Sequence, residues 1–231
     1  MKESWKKGLW TGACLIFAFS IWTALILGVD VQPVGVNGTN IGFATANTWF
    51  HHLTGVNLWI YTVTDWLGLV PIVVCIRFGI LGLTQLIRRK SLLKVDRDIL
   101  LLGGYYILVI LGYLIFEMIP INYRPILIDG AQEASYPSST TLLVLSVMPT
   151  LVFQVNRRVK STPWRQVTLI LAASFTAFMV IGRLVAGVHW LSDIIGAILL
   201  SAGLYLLYRS TVILMDQKEM KGQSKKRTVR I

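Results

Sequence analysis

The sequence predicts an all-α integral membrane protein, a six-transmembrane-helix bundle with both termini in the cytoplasm. Of its 231 residues, 55% are hydrophobic and only 14% are charged, whereas soluble domains carry about 25% charged residues. The mean hydropathy is +0.65. The basic residues behind the net charge of +11 lie in short blocks between apolar stretches. This composition excludes a disordered chain, and two cysteines are too few for a disulfide scaffold.

Six segments are long and apolar enough to cross a bilayer, which takes about 20 residues. The first is too long for the apolar region of a signal peptide, so we expect it to be retained. The second contains Asp65, Pro71 and Arg77, so we expect it to be kinked or entered from an interfacial piece near Trp59 and Trp66. The six segments are roughly 8–29, 57–87, 99–119, 138–156, 166–186 and 190–209.

The connecting loops and the tail have their own patterns. In the longest outer loop, residues 41–53 are predicted to form a short interfacial helix anchored by Phe43, Trp49 and Phe50. We divide the chain into a membrane domain, 1–216, and a basic cytoplasmic tail, 217–231. The tail is expected to be loosely ordered and attracted to anionic lipid headgroups.

The lysines and arginines predict the orientation. All but three of the 22 basic residues lie before the first segment, in the second or fourth inter-helix loop, or from Arg209, at the end of the last segment, onward. With six crossings these regions share one side of the membrane, and the positive-inside bias makes that side cytoplasmic. Arg77 lies within a helix, while Arg124 and Arg183 lie on the outer side. An arginine that defies the bias beside an apolar segment is a candidate functional residue.

Three short clusters fall at the outer ends of the predicted helices. Within the third, His189 and Asp193 are four residues apart at the start of a helix, so their side chains share one face. A carboxylate that bonds one ring nitrogen fixes the tautomer and leaves the other nitrogen free to attack. The clusters are Tyr123-Arg124-Pro125, then Tyr136-Pro137-Ser138-Ser139-Thr140, then Gly182-Arg183 with the run from Gly187 to Asp193.

The third cluster resembles the third signature of the phosphatidic acid phosphatase type 2 superfamily of membrane lipid phosphatases. Five residues separate Arg183 from His189, and three separate His189 from Asp193. The first two clusters resemble the family's first and second signatures, in the family's order. The resemblance implies a six-helix membrane enzyme with its site on the outer side, in which His189 is the nucleophile and becomes a phosphohistidine.

The other site residues suit the binding of a phosphate. Arg124 and Arg183 offer planar donor forks for phosphate oxygens and would stabilise charge that grows during phosphoryl transfer. Ser138, Ser139 and Thr140 begin a helix, where hydroxyl groups, free N–H groups and the positive end of the helix dipole favour an anion. We expect neither a metal nor another cofactor. The expected partners are the lipid bilayer and a membrane lipid substrate, not nucleic acid.

Two positions depart from the family pattern. Glu117 stands where the first signature has a lysine, and Thr140 stands where the second has a histidine that protonates the leaving group. One explanation is a lipid diphosphate substrate, such as a polyprenyl diphosphate, because phosphate leaves without full protonation. Another makes Glu117 the acid, with a pKa raised by desolvation, although an ion pair with Arg124 or Arg183 would lower that pKa.

A third explanation is that the protein has kept the phosphate site and lost turnover. His51 and His52 in the first outer loop are further possible proton donors, or residues of the membrane interface. We expect a metal-independent phosphatase of the plasma membrane that hydrolyses a lipid phosphate or diphosphate, with the diphosphate preferred, at the extracytoplasmic face. The alternatives are a catalytically silent lipid-phosphate-binding protein and a lipid phosphotransferase.

Overall fold

The structure, a computed structural model, describes residues 4–228 and the side chains of residues 4–222. This part of the chain contains eight α-helices, two short 3-10 turns and no β-strand. Six helical stretches are long and apolar enough to cross a membrane, which confirms the predicted all-α multi-pass bundle. The helices are α1 (Ser4–Gly28), α2 (Ala44–Thr54), α3 (Leu58–Leu67), α4 (Leu69–Arg89), α5 (Arg97–Met118), α6 (Ser139–Arg158), α7 (Thr162–Val185) and α8 (Leu191–Thr228).

The second crossing consists of two helices, α3 and α4, which meet at Gly68. The Gly68 N–H lies 3.1 Å from the carbonyl oxygen of Thr64 and 3.0 Å from that of Asp65, so the chain tightens at this point. Pro71 falls in the first turn of α4, where a missing N–H removes no helical hydrogen bond. The break that we expected therefore occurs at Gly68, and α3 is a separate short helix.

The short helix predicted over 41–53 forms as α2, Ala44–Thr54. Trp49 is 64% exposed, which suits an interfacial anchor. Phe43 is different, because its ring is half-buried and stacks on the ring of Trp22 with centroids 4.8 Å apart. It therefore joins the loop to α1.

The tail is more ordered than we expected. Helix α8 continues to Thr228, so a loosely ordered segment from Gln217 is wrong for most of that segment. Its lysines, glutamate, methionine and glutamine are good helix formers, which explains the continuation. Residues 229–231, with Arg230, and residues 1–3, with Lys2, lie outside the described residues.

Helices α1 and α8 pack closely through small residues. A Cβ on Gly12 of α1 would lie 3.1 Å from the carbonyl oxygen of Gly203 on α8. A Cβ on Gly203 would lie 2.8 Å from the Ile16 side chain. Small residues of this kind let two membrane helices approach each other.

A buried tyrosine holds the α5–α6 loop against this helix pair. Tyr136 is 1% exposed and its hydroxyl lies 2.7 Å from Oγ1 of Thr23 on α1. Its ring covers Gly196 of α8, where a Cβ would lie 2.3 Å from the ring. This anchor places residues 133–139 beside the start of α8.

The order of the helices separates the two ends of the bundle. The carboxyl ends of α1, α5 and α7 and the amino ends of α3, α6 and α8 meet at one end, together with α2. The connections from α4 to α5 and from α6 to α7 carry the basic blocks and lie at the other end. The three sequence clusters all lie at the first end.

Candidate active site

His189 and Asp193 lie at the junction between α7 and α8. His189 is 3% exposed and Asp193 is fully buried. One carboxylate oxygen of Asp193 accepts the backbone N–H of Trp190 at 2.9 Å, so Asp193 caps the helix that carries it. This cap fixes the backbone on both sides of the junction.

A serine hydroxyl lies between the imidazole and the carboxylate. The Oγ of Ser135 is 3.1 Å from Nδ1 of His189 and donates to Oδ2 of Asp193 at 2.5 Å. The direct separation between Nδ1 and Oδ2 is 3.9 Å. The expected direct bond between Asp193 and the ring is therefore replaced by a bridge through Ser135. The signature pattern alone did not single out this residue.

The other ring nitrogen faces an arginine. Nε2 of His189 is 3.4 Å from Nη2 of Arg183, which is 1% exposed. A guanidinium only donates, so Nε2 accepts and the ring proton belongs on Nδ1, toward Ser135. The chain of donors then runs from His189 through Ser135 to Asp193.

The environment keeps His189 neutral. Burial, followed by the positive charges of Arg124 and Arg183, holds the pKa of the imidazole well below its usual value of 6.5. The ring therefore carries an unprotonated nitrogen at neutral pH, with its electron pair beside a cation. This arrangement suits attack on an anionic electrophile such as a phosphate.

Arg124 lies in the α5–α6 loop, which folds back on itself. Tyr123 and Ala134 form an antiparallel bridge, and the Arg124 N–H bonds the carbonyl oxygen of Glu133 at 3.1 Å. The Arg124 guanidinium lies 5.9 Å from the ring centre of Tyr61, and that of Arg183 lies 4.9 Å from the same centre. One aromatic ring of α3 thus brings both guanidinium groups to one site.

Both arginines keep unused donors. Nε and Nη1 of Arg124 and Nε of Arg183 are buried without a hydrogen-bond partner. Nη1 of Arg183 has two weaker polar neighbours. Oγ1 of Thr64 lies 3.4 Å away, and Oδ1 of Asp65 lies 3.6 Å away. Buried N–H groups without partners are costly, so these donors are ready for an anionic ligand.

A cavity of about 200 Å³ opens beside these groups. Its size suits a headgroup better than a whole lipid. Two carboxylates and one guanidinium give it a mixed charge. It is lined by Tyr113, Glu117, Arg124, Glu133, Ala134, Ser135, Tyr136, Pro137, Ser139 and His189.

The start of α6 contributes to the cavity through one of its three predicted residues. Ser139 lines the cavity. Ser138 is fully buried, donates its hydroxyl to Thr141 at 3.0 Å and its N–H to the carbonyl oxygen of Asp193 at 3.2 Å. It therefore joins α6 to α8. Thr140 is 9% exposed and belongs to the buried side of the same turn, outside the cavity lining.

Glu117 is exposed at the carboxyl end of α5 and lines the cavity. The ion pair that we considered for it is made by other carboxylates. Glu133 lies 3.1 Å from Nε of Arg124, and Asp65 is the neighbour of Arg183. Because the loop folds back at Tyr123, Glu133 lies next to Arg124, which the sequence did not indicate.

The two histidines of the first outer loop differ from each other. Nε2 of His51 lies 3.2 Å from the carbonyl oxygen of Gly187, and burial lowers the pKa of this imidazole. His51 therefore supports the loop before His189. His52 is exposed. Neither histidine lines the cavity. Among the side chains described, no group of three or more histidines, cysteines and carboxylates could hold a metal ion.

Comparisons with known proteins agree with this arrangement. The family model of the PAP2 superfamily matches residues 100–214, a range that includes Arg124, Ser135, Arg183, His189 and Asp193. Among curated proteins, none matches the sequence. The fold is similar to the crystal structure of the first transmembrane PAP2 type phosphatidylglycerolphosphate phosphatase from Bacillus subtilis. The TM-score is 0.64 at 18% identity, over 90% of this chain and 97% of that chain. This chain belongs to the PAP2 superfamily.

Proposed function

We propose that this multi-pass membrane protein is a lipid phosphatase that works through a phosphohistidine at His189. One observation carries the proposal. A buried, neutral imidazole has Nε2 3.4 Å from Arg183, beside a cavity that also exposes Arg124. Membership of the PAP2 superfamily supports the same reaction class.

In the first step, Nε2 of His189 attacks phosphorus, and the bond from phosphorus to the leaving oxygen breaks. The leaving oxygen takes the electron pair and a proton from water. Arg124 and Arg183 stabilise the charge on the remaining phosphoryl oxygens. Positive charge grows on the ring at the same time, and the hydrogen bonds from His189 to Ser135 and on to Asp193 stabilise it. The hydroxide that this water leaves behind then attacks phosphorus, the bond from phosphorus to Nε2 breaks and returns its electron pair to the ring, and phosphate is released.

We place the site at the extracytoplasmic face of the plasma membrane and both termini in the cytoplasm. The basic blocks lie at the end of the bundle opposite His189, and the positive-inside bias assigns that end to the cytoplasm. The substrate is then a lipid of the outer leaflet, whose headgroup enters the cavity.

Two observations point to different leaving groups. The absence of a family histidine at Thr140 favours a lipid diphosphate, because a phosphate leaves more readily than an alkoxide. The structural neighbour is named a phosphatidylglycerolphosphate phosphatase. In addition, Glu117 and Glu133 line the cavity, and their negative charge disfavours a second phosphate group there. We propose the diphosphate preference and test it against a monophosphate of the same lipid.

The central test uses purified protein in detergent with lipid monophosphates and diphosphates and no added divalent cation. Wild-type protein is expected to release phosphate and to retain an acid-labile phosphate label on quenching. His189→Ala should remove both, while His52→Ala, a change of an exposed histidine, should keep both. Label and turnover that survive in His189→Ala would refute the nucleophile. Binding of phosphate lipids without any release of phosphate would favour the silent binding protein. Transfer of the phosphoryl group to an acceptor other than water would favour the phosphotransferase.

The leaving-group argument has its own test. Ser139→His, which places an imidazole at a residue that lines the cavity, is expected to raise monophosphate turnover by about 10-fold or more, with a smaller effect on diphosphate turnover, because only the alkoxide needs a proton donor. Steady-state rates on the paired substrates measure this, and thermal unfolding checks the fold. Monophosphate turnover equal to diphosphate turnover in the wild type would contradict the preference.

A further inference from the structure

The carboxylate that faces Arg124 is held there by the backbone. Arg124 and Glu133 face each other on the two chain segments, one position beyond the antiparallel bridge between Tyr123 and Ala134, and the Arg124 N–H bonds the Glu133 carbonyl oxygen at 3.1 Å. Residues paired across antiparallel chain segments keep neighbouring side chains. The pairing of these two side chains is therefore built into the loop.

The two side chains meet at the wall of the cavity. Nε of Arg124 lies 3.1 Å from Oε2 of Glu133, an ion pair in which this nitrogen makes no hydrogen bond. The Arg124 side chain is 10% exposed and that of Glu133 is 40% exposed. Both line the cavity with His189. This ion pair therefore forms part of the cavity wall.

A phosphate and a carboxylate use the same donors of a guanidinium. Arg124 has its Nη1 buried and unpartnered, and its Nε is only loosely paired. An incoming phosphate that engages both nitrogens must displace Glu133 or accept a negative charge beside it. Either event costs binding free energy, since like charges at short range repel.

We propose that Glu133 is an internal anion that occupies Arg124 in the empty site and sets the affinity for the phosphate group. The inference rests on the proposed function, because it assigns Arg124 to the phosphate of the substrate. Glu133 then has two opposite effects. It stabilises the buried guanidinium of the empty protein, and it weakens the binding of phosphate.

These opposite effects distinguish the proposal from a purely structural role. Glu133→Gln should lower the unfolding temperature of the empty protein and strengthen the binding of inorganic phosphate about tenfold. If Glu133 only supported the loop, its substitution would lower both the unfolding temperature and the affinity for phosphate. The matched control is Asp129→Asn, which removes one negative charge from the same loop at an exposed position. Asp129 has a φ of 49°, which asparagine tolerates, so phosphate affinity should stay near the wild-type value.

The experiment titrates inorganic phosphate into wild type, Glu133→Gln and Asp129→Asn by calorimetry in detergent, with lipid turnover measured on the same samples. Tighter binding in Glu133→Gln alone supports the proposal. If Glu133→Gln does not fold, Glu133→Asp keeps the charge, shortens its reach to Arg124 and should also bind phosphate more tightly. Unchanged or weaker binding in a folded Glu133 variant, with turnover in the wild type, overturns this inference alone. No phosphate binding and no turnover in any variant overturns the proposed function together with it.

Discussion

Arginine–carboxylate clusters lie at both ends of the bundle, and their arginines are paired to different degrees. At the basic end, Arg157 bonds Asp98 through Nε at 3.1 Å and Asp216 through its two terminal nitrogens at 2.6 and 3.2 Å. Arg158 bonds the two oxygens of Asp98 at 2.7 and 3.1 Å. These pairs join α5, α6 and α8.

At the site end, the arginines are more deeply buried and less well paired. Side-chain exposure is 1% for Arg183 and 10% for Arg124, against 29% for Arg157. Unpaired buried donors lower stability, so they are not explained by a role in folding. The arginines of the basic end therefore hold helices together, whereas those of the site end leave buried donors unpaired, as the proposed phosphate site requires.

The largest difference in activity is expected between two variants in which one arginine, at the site end or at the basic end, is replaced by lysine. Arg183→Lys should reduce kcat/KM by about 10²- to 10³-fold, because a lysine cannot reproduce the planar donor fork. Arg157→Lys should leave kcat/KM nearly unchanged and lower the free energy of unfolding by about 1 kcal/mol, since its pairs are partly exposed. Lipid hydrolysis and thermal unfolding are measured for both variants. Equal losses of activity would contradict the difference in role between the arginines of the two ends.

A smaller effect is expected at the bridge between His189 and Asp193. Ser135→Ala should lower kcat by about 10- to 100-fold with little change in KM, because the bridge stabilises a ring charge that appears only during the reaction. The control is Ser146→Ala, which removes another buried serine hydroxyl, one without a hydrogen-bond partner, from α6. If Ser135→Ala raised KM instead of lowering kcat, Ser135 would be a binding residue.

The smallest effect concerns pH. Only neutral His189 can attack, and its pKa is held well below 6.5 by burial and by the two arginines. The acid limb of kcat/KM should therefore bend below pH 6.5 in the wild type. Arg124→Gln removes one positive charge, so it should raise the pKa and move the bend to higher pH, whatever its effect on the rate. A wild-type bend above pH 6.5, or no shift in the variant, would contradict the electrostatic account.

The sequence predicted the features that depend on local composition. Long apolar runs predicted the six crossings, and fixed spacing within one short segment brought Arg183, His189 and Asp193 together correctly. Arg124 was found because its charge defied the topology bias. Each of these signals can be read without knowing how distant segments pack.

The missed residues depend on that packing. Ser135 was not singled out, although it directly precedes the second cluster, because its role arises only when Tyr136 holds the loop against α1. Glu133 faces Arg124 because the loop folds back on itself, and no regular period marks that fold. Tyr61 of α3 lies much further away in the sequence from both arginines, yet its ring lies beside both guanidinium groups.

The loop before the proposed nucleophile touches a part of the chain that the PAP2 match does not include. Gly187 has a φ of +68°, and a Cβ there would lie 1.9 Å from the carbonyl oxygen of Gly55. The Asn57 N–H bonds the carbonyl oxygen of Ala186 at 3.0 Å. A chimera that grafts only α5 to α8 onto a foreign amino-terminal half would meet another turn at this spot. The activity of such a chimera would then depend on whether the foreign half allows the same close backbone contact that Gly55 and Gly187 make here.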